Sequence, residues 1–152
     1  MNRELAELAC RIDLGAPGHA RLRLRFGLSC GERVRRFLTD PLAAAALDAL
    51  AAHLEHRIAA ETLAAYATET ARLANRHPGS PSLDGCGHAA VSATYAVASA
   101  LAGEALRAAE YAAYATVYGE GGYGAVYDPA SFAPEYAWQV DCLAALAQAT
   151  AP

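Results

Sequence analysis

The chain has 152 residues, 40 of them alanine, with 55% hydrophobic and 18% charged residues, which is enough apolar content for one packed domain and too little charge for disorder. Seven prolines and 12 glycines exclude a collagenous or linker-like chain, and the excess of alanine, a strong helix former and a poor strand former, predicts helices that approach closely. A net charge of −4 and a pI near 5.7 speak against a nucleic-acid partner.

Residues 3–12 carry Leu5, Leu8 and Ile12 at helical spacing and stop before Gly15-Ala16-Pro17-Gly18. A second helix is expected over 19–38, with Leu22, Phe26, Cys30, Val34, Phe37 and Leu38 on one stripe and most arginines off it. Asp40-Pro41 restarts the helix, the aspartate as N-cap and the proline in the first turn, and this element is expected to reach residue 57. Residues 61–76 form the next, with Leu63, Tyr66 and Leu73 inward.

His77-Pro78-Gly79-Ser80-Pro81 is the clearest break and joins two halves of one domain. Beyond it, 85–103 is a run of 19 residues without formal charge, long enough to test as a membrane span. Its alanine, glycine, serine and threonine gain little from lipid, so it reads as the central helix of a soluble bundle, capped by Ser82 or Asp84. A further helix is expected to about residue 118, then an irregular, mobile glycine- and tyrosine-rich loop over about 119–133, then a last helix over 134–146. The expectation is an all-α, alanine-rich single-domain bundle of six to seven mostly antiparallel helices spanning residues 1–152. Such bundles self-associate readily, which allows a homodimer.

The charge is unevenly placed. Residues 1–76 hold 11 of the 12 arginines against 9 acids, while 77–152 hold one arginine against 7 acids, and lysine is absent. Six arginines fall within 21–36. That pattern predicts either a polar partner surface or two surfaces that meet within the fold. The tyrosines are also gathered: seven of the eight lie after residue 90, and Tyr111, Tyr114 and Tyr118 fall on one helical stripe. Cys10, Cys30, Cys86 and Cys142 form no CxxC pair and no export leader precedes them, so they read as buried reduced thiols of a cytoplasmic protein.

No motif assigns a cofactor. The glycines at 119–124 follow a helix and lack the Gly-Lys-Ser/Thr or strand context that a phosphate loop needs. His53 and His56 share a helical face by spacing, but no Glu-x-x-His pair exists, so no metal is expected. His88 opens the uncharged helix, where the positive helix end favours a neutral imidazole.

Three segments occur in an order that carries a resemblance: Ser29-Cys30-Gly31-Glu32-Arg33-Val34, Gly87-His88-Ala89-Ala90 and Glu135-Tyr136-Ala137-Trp138-Gln139. Together they resemble the small α-helical immunity proteins of bacterial polymorphic toxin systems, over most of 19–146. Members of that family carry further histidines one and two turns after the Gly-His-Ala-Ala element, where this chain has Thr94, Tyr95 and Ser99. The resemblance implies a cytoplasmic protein that binds and neutralises a cognate toxin. Arg21, Arg25 and Arg36 would then act as steering charges, and Tyr118, Tyr123, Tyr127 and Trp138 as contacts. The alternative is a small-molecule binder or enzyme of specialised metabolism or self-resistance. Its pocket would unite His88, Glu32, Arg33, Tyr95 and Trp138, and convergence of these side chains on one cavity separates the two readings.

Overall fold

The computed structural model describes residues 1–76 and 85–150. Its helices are α1 (Arg3–Arg11), α2 (Ala20–Val34), α3 (Pro41–Leu54), α4 (Ala60–Arg76), α5 (Cys86–Leu101), α6 (Ala105–Gly121) and α7 (Ala133–Thr150). Short 3-10 turns occupy Pro17–His19, Arg35–Phe37, Tyr123–Tyr127 and Pro129–Phe132, and no strand occurs among the described residues. The protein is an all-α single-domain bundle. No described helix is long and apolar enough to cross a membrane.

Local chemistry sets several of the boundaries. Asn2 caps α1 by accepting from the Leu5 amide at 3.1 Å, and Asp40 caps α3 by accepting from Leu42 at 2.9 Å. Ser82, Asp84 and the break at 77–81 lie outside the described residues. The N-cap of α5 is Gly85, with φ at +86° and its carbonyl accepting from Ala89 at 2.8 Å. A side chain there would be strained and its Cβ would collide with the Tyr118 carbonyl oxygen, so glycine lets the start of α5 rest on the end of α6.

The uncharged helix is central, as its composition predicts: α5 packs against α2, α3, α4 and α6. Ala89, Ala90, Ala93, Ala96 and Ala100 on α5 are buried, and so are six alanines on α6 from Ala105 to Ala115. With so little side chain at the seams, large residues fill three core regions. Phe26, Cys30 and Leu143 anchor one, between α2 and α7, Leu47, Leu50 and Val97 anchor another, between α3 and α5, and Val117 and Phe132 form a smaller third.

Five expectations are corrected. Residues 119–133 are not an irregular loop: α6 continues to Gly121, and two 3-10 turns carry the chain to α7. Gly119 sits where a Cβ would overlap the Phe37 ring, so this glycine serves close approach rather than mobility. The helix expected over 19–38 ends at Val34 in a 3-10 turn, and α3 ends at Leu54 rather than residue 57. His56 therefore lies past the helix, in the left-handed region at φ 59°, and does not share a helical face with His53. Of the cysteines only Cys30 is fully buried; Cys142 is half-buried, and Cys10 and Cys86 are exposed.

Candidate functional site: a charged seam and an aromatic belt

The basic and acidic halves meet within the fold. Arg33, near the end of α2, reaches across to Glu135 in the first turn of α7. Its Nε donates to Oε1 at 3.1 Å and Oε2 at 3.0 Å, and its Nη2 donates to Oε2 at 2.7 Å. The Glu135 side chain is 2% exposed and that of Arg33 40% exposed, and the guanidinium lies 4.1 Å from the Trp138 ring centroid. The hydrogen bond to Glu135 raises the pKa of Arg33 further, so its charge is permanent. Beneath this pair the Cys30 thiol is pushed well up, first by burial and then by neighbouring Cys142 and Glu135, which leaves it protonated and inert.

A polar chain continues the seam along α7. Gln139, fully buried, donates to the Ala109 carbonyl at 2.8 Å and accepts from Asn2 at 3.1 Å, and Asn2 donates also to the Tyr136 carbonyl. The cap of α1 is thereby tied to α6 and α7.

Around the outside runs a belt of rings in contact. Tyr136 lies 5.4 Å from Phe132, Phe132 lies 5.3 Å edge-on to Tyr114, and Tyr114 lies 6.3 Å from Tyr118. His88 stacks on Tyr118 at 4.9 Å and leans on Tyr123 at 5.0 Å, and Tyr123 meets Tyr127 at 6.0 Å with hydroxyls 3.3 Å apart. The belt joins α7, α6, α5 and both late 3-10 turns. Tyr127 is 73% exposed and Tyr114 36%, whereas Phe132 is buried and pins the belt to the core. Burial raises the pKa of Tyr118 and Tyr136, and the hydrogen bond with Tyr123 raises that of Tyr127, so all three hydroxyls remain neutral donors near neutrality.

The residues singled out in the sequence are divided among these places. His88, Tyr118, Tyr123 and Tyr127 are in the belt. Arg36 lies beside it: its guanidinium binds Glu120 at 2.6 Å and covers the Phe37 ring. Trp138 and Arg33 belong to the seam. Glu32 faces outward and binds Arg35 at 2.9 Å, and Tyr95 stacks on Tyr111 and donates to Asn75 at 3.2 Å. His88, Glu32 and Trp138 thus do not converge on one cavity. Arg21 and Arg25 lie apart from the belt, facing the ends of α3 and α7. Thr94 and Ser99, where the resembled family has histidines, are buried. No group of three or more potential metal-binding side chains occurs among the described residues.

Composition-based reading missed two groups. Glu135 and Arg33 are 102 residues apart, and no local pattern marks their pairing. The second is a groove of about 580 Å³ between α1 and α6, lined by Met1, Leu5, Leu106, Tyr111 and Tyr114 with Gln139 at its floor. Its only legible signal was the clustering of Tyr111 and Tyr114 on one helix.

No family model matches the chain, and comparison with curated proteins and with solved structures gives no match.

Proposed function

We propose that this protein is a binding module of the immunity type, which masks a protein toxin in the cytoplasm of the bacterium that makes both. The observation that carries this reading is the aromatic belt. Its rings stay partly exposed, are locked by mutual stacking and are held on a rigid base by Phe132. Rigid, amphipathic tyrosines supply contact area at low entropic cost, which is the composition of recognition surfaces. The polar residues that an enzyme pocket would need are instead paired separately across the bundle.

Charge narrows the partner. Glu110 and Asp128 are exposed beside Tyr114 and Tyr127, and neither has an ion pair among the described residues. A partner face with arginine or lysine would complement these acids and stack on the tyrosines. The test is titration calorimetry against the product of the adjacent gene, with growth rescue on co-expression. Tyr123→Ala and Tyr127→Ala should each weaken binding by about thirtyfold or more, the range of a central aromatic contact. Wild-type affinity in both variants, or no binding of the neighbouring product, refutes the reading.

A further inference from the structure

Among the six arginines within 21–36, Arg33, Arg35 and Arg36 are each held by a carboxylate, and Arg23 donates to the Leu14 and Ala16 carbonyls at 2.7 and 2.8 Å. Arg25 is the exception. It is half-buried, yet its guanidinium has no hydrogen bond or ion pair among the described residues. None of its nitrogens is sealed from solvent, so its donors are open to a ligand.

Its surroundings are a concavity of about 520 Å³ between α2 and the C-terminal ends of α3 and α7, walled by Leu28, Leu54 and Leu146. Arg21, Arg25 and Ser29 enter it from successive turns of α2. Arg21 Nη2 donates to the Leu54 carbonyl at 2.6 Å, which fixes that side chain and leaves its other N–H groups available. Two cations one turn apart on a helix repel each other. The acid at the rim, Glu55, does not offset them, because Arg57 Nε already donates to its carboxylate at 2.8 Å.

We propose that this concavity binds a phosphate monoester, with Arg21 and Arg25 sharing the phosphoryl oxygens and the leucines covering an apolar substituent. A dianion can be shared by the two guanidiniums, of which only Arg25 lacks a protein partner, and the planar fork of each suits phosphate oxygens. The site uses no residue of the aromatic belt and stands whether or not a toxin is bound there.

The test uses phenyl phosphate and, separately, inorganic phosphate as probes, with ionic strength held constant by sodium chloride. Binding is followed by the arginine Nε–Hε signals in two-dimensional NMR. Phenyl phosphate should shift the Arg21 and Arg25 signals saturably and bind more tightly than inorganic phosphate. Arg25→Gln should weaken it about tenfold or more, Arg25→Lys less, and Arg72→Gln on α4 by under about twofold. Glu55→Gln should leave the affinity equal or improved. Absence of a saturable shift, or one that survives Arg25→Gln, overturns the site. Equal affinity for the two probes overturns the apolar part, and loss of binding in Glu55→Gln overturns the charge assignment.

Discussion

The seam between α2 and α7 makes an asymmetric prediction. Arg33→Met keeps an aliphatic stem against Trp138 but strips Glu135 of its three hydrogen bonds, leaving a carboxylate that is 2% exposed without its cation. A fully buried pair broken this way costs about 3–5 kcal/mol, and an exposed pair about 0–1 kcal/mol. With one partner buried and the other 40% exposed, the expected loss is about 2–3 kcal/mol. For a chain of this size that lowers Tm by about 4–12 °C. Glu135→Gln strands Arg33 instead, and Arg33 can turn to water, so its cost should be about 1 kcal/mol. The double variant Arg33→Met/Glu135→Leu removes both charges and should lie within about 1 kcal/mol of the native protein. Urea unfolding of the four proteins compares these losses directly. A loss under about 0.5 kcal/mol for Arg33→Met, or an equal loss for both single variants, would refute the argument.

Three further outcomes are expected. Gly31→Ala should cost about 1–3 kcal/mol in urea unfolding, because its Cβ would sit 2.5 Å from Leu47 Cδ2 in a filled core; a neutral result would mean that the Leu47 side chain has room to turn aside. At pH 8 Cys10 should react quickly with a disulfide reagent and Cys30 only at the rate of unfolding, which timed labelling with mass spectrometry distinguishes. Stability should fall as pH rises above about 10, because Tyr118 and Tyr136 hold their protons beyond the ordinary value of 10.0 while the unfolded chain releases them. Cys30 acts in the same direction from its ordinary value of 9.0, and the absence of lysine keeps ammonium side chains out of that window. An unfolding midpoint that holds or rises between pH 8.5 and 11, expressed as urea concentration, would contradict this.

The parts of the fold that could be read in advance are those set by neighbours in sequence. Asp40-Pro41 caps a helix because a carboxylate two residues before Leu42 meets its amide whatever lies elsewhere. The uncharged run 85–103 becomes the central helix because only small residues let four others crowd it. Residues 119–133 misled because glycine has two uses, conformational freedom and lack of bulk, and the sequence does not tell them apart. At Gly119 the second prevails, since the Phe37 ring occupies the space of the missing side chain. The same limit applies to charge. The excess of arginine early and acid late was legible, but which arginine found which acid was set by the crossing of α2 and α7. Arg25, on the same helix as Arg23 and Arg33, has no such partner.

The chain has one tryptophan, and it lies against the Arg33 guanidinium at the junction of the two halves. Its fluorescence is therefore a built-in gauge of a single place. Tyr136, two residues away, can pass excitation to it, so exciting the tyrosines reports on this junction, while exciting Trp138 alone reports whether the cation still lies against its ring. A ligand between α2, α3 and α7 that drew the helices together would register in this signal without a label. A partner seated only on Tyr127 would leave the directly excited signal nearly unchanged, and the optical response would then tell the two surfaces apart.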